Sequence, residues 1–508
     1  MRIILAVLAL TLSSALRADT YSPGGWPTLH HDAGNRRTVD ASVLSRKYRV
    51  WQALAGASVL TAPTMSPDGG QLYVTTGLPA GNSNLHAYSI EGDLLWQSAP
   101  WSSAAEGVDP CAILSSPIVD AAGDIYISDC NQLYAFRPDG QVKWVIDLPA
   151  PHADDWVAAG DHPVNAFTTA AFTPDGHLLG VTNFGDVLIV DRDSGVQLNQ
   201  PYRLSGVLPP YATAEPMPDS VLDNALMDPA FKEWMWQLIF GGSMRSANTP
   251  AVASSGRIYV VGSSARQGLG SLYALDVSAS AAGLALREAF VTDIGLGSGS
   301  SPALSPREDR VYVSDEQGWF YSIDANSGAI AWKVQTKAAA GAAAVGADGM
   351  IYALQARAPA VVAINPMGEI RWESDFSQLL PDELPSTLLL GDPVAAGNGN
   401  PTVTADAVLV PVVYGYNVPV LGFTAPVQSV VAALDLQTGK AMHNVVSLPD
   451  DSSGITAVLP NGTIVNSLGA VLTSAVSPAR PLVDLLLPGE LTMLGSTGGV
   501  QVAIPQDH

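Results

Sequence analysis

Positive charge is scarce in this chain. Only 14% of its 508 residues are charged, and 24 Lys and Arg stand against 47 Asp and Glu, for a net charge of −23. Nucleic acids and anionic membranes attract proteins through clustered Lys and Arg. The composition therefore argues against both classes of partner. The abundance of Gly, Ala, Ser, Thr and Val is typical of a sheet-rich exported protein.

Long hydrophobic runs are also missing. No segment after the start reaches the roughly 18 apolar residues that a membrane-spanning helix requires. The start itself has Met1-Arg2, a short apolar stretch over residues 3–12, and small residues before Ala18. This pattern predicts a signal peptide over residues 1–18 and a periplasmic or secreted product. Cleavage would remove Arg2 and Arg17 and change the net charge from −23 to −25. No cysteine lies near the predicted cut, so we expect no lipid anchor on the mature N-terminus.

Cysteine is limited to Cys111 and Cys130. Residues 112–119 and 124–129 are predicted to form adjacent antiparallel strands, which would bring the two cysteines near each other. In an oxidising compartment the pair predicts a disulfide. Such a bridge would contribute roughly 3 kcal/mol through loop closure. The sequence has no Cys-x-x-Cys motif, so nothing in it indicates a redox or haem-attachment function.

What the chain has in abundance is a repeat. Eight copies share an apolar run, a turn, two further β-branched or aromatic runs and a second Gly turn. Intervals between copies are 41 to 58 residues, apart from one of 80 residues. Four strands per copy predict an all-β, eight-bladed β-propeller in residues 19–508, with seven blades as the runner-up. The copies align at their predicted innermost strands, at Pro63, Pro117, Ala170, Pro250, Pro302, Ala343, Pro401 and Thr456.

A tryptophan recurs a few residues after the second turn, at Trp96, Trp144, Trp332 and Trp372. Because it recurs in register, we expect it to pack between neighbouring blades. Residues 322–332, Ser-Ile-Asp-Ala-Asn-Ser-Gly-Ala-Ile-Ala-Trp, resemble the tryptophan-docking repeat of the PQQ-like (quinoprotein-type) β-propellers. Residues 433–443 resemble it too, with His443 in place of the Trp. The opening at residues 26–35, Trp-Pro-Thr-Leu-His-His-Asp-Ala-Gly-Asn, is similar to that of BamB-like propellers.

The repeats also predict how the ring closes and where it is interrupted. Residues 47–54, which contain Trp51, are expected to form the outer strand of the last blade and so remove an exposed edge. Further strand-like runs cover residues 482–487 and 500–504. Insertions are predicted near residues 205–245, 373–399 and 414–428. The first should include a helix over residues 230–240, as a packed surface element, a lid or a docking element.

Ligands of propellers usually bind at the axis, where the segments that lead into the inner strands converge. We expect the channel mouth to be lined by His162, Asn165, Arg245, Asn248, Ser298, Ser300, Lys337, Asn398 and Asn400. These residues either bind a ligand or line a water-filled channel. A loop with two His residues provides candidate oxygen ligands for a metal at Asp154, Asp155 and Asp161.

Three functions are consistent with this sequence. The first is an exported scaffold that binds a protein or small ligand at the propeller axis. The second is implied by the resemblance: a dehydrogenase that uses PQQ with Ca²⁺ or a lanthanide, with Asp109 or Asp161 as the base. Against it, the vicinal cysteines and the Glu-Asn-Asp metal set of that family cannot be found. The third is a polysaccharide lyase or hydrolase, which would require paired axial carboxylates.

Overall fold

The computed structural model describes most of the chain. The described residues are 20–57, 59, 61–76, 84–99, 115–129, 132–149, 167–206, 246, 248–266, 268–297, 299–336, 341–355, 360–375, 390–397, 399–419, 423–452, 455–469, 480–487, 489, 491–495 and 497–506.

These residues form eight separate antiparallel sheets, which are the blades of an eight-bladed β-propeller. The chain first forms β1 (Tyr48–Ala53), which belongs to the last blade. Blades I to III contain β2 (Thr64–Met65), β3 (Gln71–Thr75), β4 (Leu85–Ser89) and β5 (Leu94–Gln97); β6 (Ile118–Val119), β7 (Ile125–Ser128), β8 (Gln132–Phe136) and β9 (Val142–Asp147); and β10 (Ala171–Phe172), β11 (Leu178–Val181) and β12 (Val187–Val190).

Blades IV to VI each have four strands. They contain β13 (Ala251–Val252), β14 (Ile258–Ser263), β15 (Gly270–Ser280) and β16 (Gly283–Asp293); β17 (Ala303–Leu304), β18 (Arg310–Ser314), β19 (Trp319–Asp324) and β20 (Ile330–Gln335); and β21 (Ala344–Val345), β22 (Ile351–Gln355), β23 (Ala360–Ile364) and β24 (Ile370–Asp375).

Blade VII has five strands, because two short strands pair with different parts of one long strand. Blades VII and VIII contain β25 (Pro393–Ala396), β26 (Thr402–Val403), β27 (Val408–Val418), β28 (Phe423–Leu434) and β29 (Ala441–Leu448); and β30 (Thr456–Val458), β31 (Ile464–Leu468), β32 (Gly499–Pro505) and β1. The predicted insertion at 414–428 therefore falls on the two arms of the β27–β28 hairpin.

The eight-bladed prediction is confirmed, and the turns explain the repeat. Glycines of the first turn, between the first and second strands of a blade, have positive φ; examples are Gly69 at 68° and Gly123 at 90°. Glycines of the second turn do as well, for example Gly140 at 84°. Residues with a Cβ rarely adopt this conformation, which is why Gly recurs in register. Blades V and VII are exceptions. Glu308 takes the Gly position of the first turn in blade V with a φ of 56°, and the first turn of blade VII, residues 404–407, contains no Gly.

The core is divided among the blades. Each of the eight spaces between neighbouring blades holds a cluster of buried apolar side chains. Ile118 and Tyr126 of blade II, for example, pack with Phe172 and Leu178 of blade III. Both faces of each sheet are therefore buried, and the apolar runs of the repeat follow from this burial.

The predicted packing of the tryptophans between blades is confirmed. Each indole N–H donates to a carbonyl in the second turn of the next blade, and the ring covers the Gly of that turn. The pairs are Trp51–Ile90 (2.8 Å), Trp96–Pro138 (2.9 Å), Trp144–Arg192 (2.9 Å), Trp332–Pro366 (3.0 Å) and Trp372–Leu436 (3.1 Å). Phe290 takes the position of the Trp in blade IV, where it covers Gly328, whereas His443 in blade VII is exposed.

The ring closes as predicted. Strand β1 pairs antiparallel with β32, and Trp51 lies opposite Val502. The strand-like run at 500–504 thus becomes the third strand of blade VIII. The run at 482–487 instead belongs to helix α1 (Arg480–Leu486) and the residue after it, because Val483 and Leu487, four residues apart, pack against Tyr416. The described residues contain no helix long and apolar enough to cross a lipid bilayer.

Several sequence predictions fall outside the described residues. They are the signal peptide, the helix at 230–240 and the disulfide between Cys111 and Cys130, and each stays a prediction.

Candidate functional site

The axis of the propeller is bordered by the free edges of the eight inner strands, whose backbone groups require partners. Residues 20–43, which we call the axial segment, supply them. Inner-strand N–H groups donate to its carbonyls in the pairs Met65–Trp26 (3.1 Å), Val119–Pro27 (2.9 Å), Val252–Ala33 (2.7 Å), Leu304–Gly34 (2.8 Å), Val345–Arg36 (2.8 Å) and Val403–Arg37 (3.0 Å). In blade III, the N–H of Phe172 donates to the hydroxyl of Tyr21 (3.0 Å). One stretch of chain thus joins seven blades.

The axial segment lies at one end of the axis. It contacts the first turns of the blades: the N–H of Ala121 donates to the carbonyl of Thr20 (2.9 Å), and the Asp406 carboxylate accepts from the N–H groups of Val43 and Leu44. In an antiparallel blade the first and second turns share one end of the sheet. We call that side of the propeller the first-turn face and the other side the mouth face.

Asn35 fixes the segment between blades IV and V. Its Nδ2 donates to the carbonyls of Thr249 (3.1 Å) and Pro302 (2.9 Å), and the residue is 1% exposed. Its φ of 58° is a conformation that Asn tolerates better than most residues with a Cβ. Backbone conformation and side-chain chemistry together explain an Asn at this position.

Arg37 makes the corresponding connection to blade VII. Its fully buried guanidinium donates to the carbonyls of Pro401 (2.9 Å) and Asn400 (3.0 Å), and Nη1 lies 3.3 Å from Nδ1 of His30. Burial lowers the pKa of Arg37 to about 9. Burial, together with the nearby Arg37 cation, lowers the pKa of His30 well below its usual value, so the imidazole is neutral. Since a guanidinium only donates, Nδ1 of His30 is assigned as the acceptor.

Hydroxyl side chains connect neighbouring blades beside the axis. The Oγ of Ser116 in blade II accepts from the N–H of Ala62 in blade I (2.9 Å). Thr402 in blade VII donates its hydroxyl to the carbonyl of Thr456 in blade VIII (2.8 Å). The Ser and Thr residues that precede or begin the inner strands are therefore part of the ring itself.

Three of the predicted mouth residues are described. Asn248 is buried and bonds through its amide to both backbone groups of Val261. Ser300 is buried, accepts from the N–H of Ser314 (3.1 Å) and donates to the carbonyl of Gly341 (3.1 Å). Asn400 is only partly buried, and its side chain forms no hydrogen bond with the described part of the chain.

The structure therefore gives Asn248 and Ser300 structural bonds, whereas Asn400 is partly buried; ligand binding by these residues stays a prediction. The other predicted site residues lie outside the described part of the chain: Asp109, Asp154, Asp155, Asp161, His162, Asn165, Arg245, Ser298, Lys337 and Asn398. Among the residues that are described, no three His, Cys, Asp or Glu side chains lie close enough to hold a metal ion.

Sequence reasoning missed a buried carboxylate on the mouth face. Asp450 lies in the segment that leads into the inner strand of blade VIII, and it accepts from the N–H groups of Gly498 and Asp451 (both 2.7 Å). Burial raises its pKa to about 6, although these backbone bonds act in the opposite direction. In the sequence, Asp450-Asp451 resembles an exposed turn. Its burial becomes apparent only in the fold, which places Gly498 against Asp450. The axial segment was easier to recognise in the sequence than Asp450, since residues 30–37 contain six polar side chains in an otherwise apolar chain.

Comparisons with known proteins agree with this architecture. A family model described as outer membrane protein assembly factor BamB matches residues 233–478. A europium-containing methanol dehydrogenase is 12% identical, with a TM-score of 0.57 over 95% of this chain and 98% of that one. The quinohemoprotein alcohol dehydrogenase of Comamonas testosteroni is 12% identical, with a TM-score of 0.58 over 96% and 81% of the two chains.

The chain thus shares the fold of these propellers, and the family model matches slightly less than half of its length. A further PQQ-like propeller, BamB from Moraxella catarrhalis, is 14% identical, with a TM-score of 0.49 over 91% of this chain and 99% of that one. No curated protein sequence matches the chain. At such identities PQQ-like propellers share a fold, and a fold by itself does not establish an activity.

Proposed function

We propose that this chain is an exported binding scaffold whose protein partner or small ligand docks at the mouth face of the axis. The axial segment is the observation that carries the proposal. It occupies the first-turn end of the axis, so a molecule that reaches the axis does so from the opposite side. There Asn400 is partly exposed, on a backbone that Arg37 holds in place.

Two further features support a scaffold. The ring is cross-linked by the axial segment, the tryptophans and the hydroxyl bridges, which gives a rigid frame for the loops between blades. The matching family model describes an assembly factor, a function that depends on protein contacts. The net charge of −23 favours a neutral or basic partner over an acidic one.

A quinoprotein dehydrogenase is the second candidate, because two such enzymes share the fold over 95% and 96% of this chain. The described residues do not themselves fit PQQ and a metal ion. They contain no three metal-ligating side chains in proximity, and Asn248 and Ser300 already bond to the backbone. This candidate therefore depends on Asp109 and Asp161, the proposed bases, outside the described residues.

Titration of the purified mature protein with PQQ, with and without Ca²⁺ or La³⁺, separates the two candidates. Tryptophan fluorescence and dye-coupled oxidation of alcohols and sugars are followed in the same samples. The scaffold proposal predicts no turnover and no saturable quenching at tens of micromolar PQQ. Saturable quenching with metal-dependent turnover would establish the dehydrogenase and make Asp109 and Asp161 the first residues to substitute.

A further inference from the structure

Among the described residues, blade III has three regular strands. In place of an outer strand, the irregular segment 196–204 bonds along the edge of β12; the N–H of Leu198 donates to the carbonyl of Ile189 (2.7 Å), for example. The Asn199 amide imitates a peptide group there: its Oδ1 accepts from the N–H of Ile189 (2.7 Å), and its Nδ2 donates to the carbonyl of Val187 (2.9 Å). A side chain with peptide-like geometry thus completes the edge.

The long β15–β16 hairpin of blade IV reaches across to this segment. The N–H of Leu284 donates to the carbonyl of Leu198 (2.8 Å), and the N–H of Gln200 donates to the carbonyl of Leu284 (2.9 Å). The hairpin and the first turns of blades III, IV and V enclose a groove on the first-turn face. Its volume is about 610 Å³, within the range of small-molecule sites.

The groove has an apolar floor and a polar rim. Val277 and Leu284, which are both partly exposed, contribute the apolar surface of the floor; Ile189 also lines the groove but is fully buried. His177 and Asn326 stand on opposite sides, on blades III and V. Neither side chain forms a hydrogen bond with another residue that the structure describes, and both are at least partly exposed.

The charged groups of the groove form bonds within the protein. Arg257 forms a two-pronged ion pair with Asp276 (2.8 and 3.2 Å). Arg307 pairs with Asp309 (3.2 Å), and Glu308 accepts from the N–H and hydroxyl of Ser254 (2.9 and 2.7 Å). Two arginines lie among three carboxylates in the lining. No excess of positive charge is left for an anionic ligand.

The backbone of the groove argues against a polypeptide ligand. An extended peptide binds by adding a strand to a free edge. Here both backbone groups of Ile189 are already bonded, to Asn199 and Leu198, and both backbone groups of Leu284 are bonded to the same segment. Side chains therefore provide the available hydrogen-bonding groups.

We propose that this groove binds a neutral oligosaccharide. Imidazole, amide and hydroxyl groups can each both donate to and accept from sugar hydroxyls. The apolar floor matches the C–H face of a pyranose ring, and burial of that face contributes by the hydrophobic effect. The inference goes beyond the proposed function, because the groove lies on the first-turn face and does not involve the mouth.

The test uses the purified full-length mature protein on an array of neutral and acidic oligosaccharides, followed by calorimetric titration with cellohexaose, maltohexaose and the best array ligand. We expect saturable binding of a neutral oligosaccharide. The double variant His177→Ala/Asn326→Ala should weaken it at least tenfold, because both substitutions remove groups that form no hydrogen bond with the described residues.

The matched control is His443→Ala/Asn444→Ala, which removes the same two side-chain types from exposed positions on blade VII. It should bind like the unmodified protein, and both variants should keep its melting temperature. The proposal is overturned if nothing on the array binds, if only acidic oligosaccharides bind, or if the groove variant binds as tightly as the control. None of these results bears on the mouth face, which the PQQ titration tests separately.

Discussion

Substitution of Asn35 tests whether the axial segment stabilises the ring. The Nδ2 of Asn35 donates to two buried carbonyls, those of Thr249 and Pro302. A neutral hydrogen bond contributes about 0.5–1.5 kcal/mol net, so the pair should contribute about 1–3 kcal/mol. Asn35→Gly removes both bonds and keeps the backbone conformation accessible, so we expect a loss of about 2 kcal/mol.

Asn35→Ala separates the backbone from the side chain. Ala pays about 1–2 kcal/mol for the left-handed conformation that the φ of 58° requires. The Ala variant should therefore be less stable than the Gly variant by about 1 kcal/mol or more. This order would not be expected if residue 35 were a loosely held part of the channel.

Native-state hydrogen exchange is the assay, because it reports on the axis without requiring the whole propeller to unfold in one step. The amides of Val252 and Leu304 donate to the axial segment at Ala33 and Gly34. They should exchange faster in both variants, roughly thirtyfold for a loss of 2 kcal/mol. Wild-type exchange rates and an unchanged urea midpoint in Asn35→Gly would refute the reasoning.

Two further predictions concern a titrating group and a turn. Burial raises the pKa of Asp450 from 3.8 to about 6, so its contribution to stability is fully present below about pH 4 and is lost as the pH rises through 6. Asp450→Asn should thus gain roughly 3 kcal/mol relative to wild type between pH 4 and pH 7.5 in urea denaturation, at about 1.4 kcal/mol per pKa unit; a constant difference would contradict this. Gly140→Ala should be less stable than its control Gly256→Ala by about 1–3 kcal/mol. Both glycines have positive φ, so the backbone cost is matched. A Cβ at Gly140 would lie 2.6 Å from the Trp96 ring, whereas a Cβ at Gly256 meets nothing within 4 Å. Equal melting temperatures of the two variants would show that ring packing against the turn has no role.

Much of the fold could be predicted because its signals are local and repeated. A turn that needs positive φ requires Gly wherever it occurs, and a Trp that packs on the next blade recurs at the same offset. The ring closure could be predicted because Trp51 follows the same rule. The irregular outer edge of blade III could not be predicted. There the side chain of Asn199 bonds to β12, and no periodic pattern in the sequence marks this position.

The site was less accessible to sequence reasoning. Proximity to the axis could be predicted for Asn248 and Ser300, but their bonds to neighbouring backbone depend on the distance between strands, which sequence does not encode. The helical run at 482–487 shows the same limit. The short apolar run suggested a strand, and packing of Val483 against a hairpin distant in sequence decides for a helix.

The central claim, that the mouth face binds a partner, is tested most directly by photocrosslinking in the exporting cell. Benzoylphenylalanine is placed at Asn400, which is partly exposed, and at Asn444 on the outer strand of the same blade as a control. The account predicts a discrete, light-dependent covalent adduct from position 400 and none from position 444. The absence of an adduct at 400, or the same adduct at both positions, would contradict it.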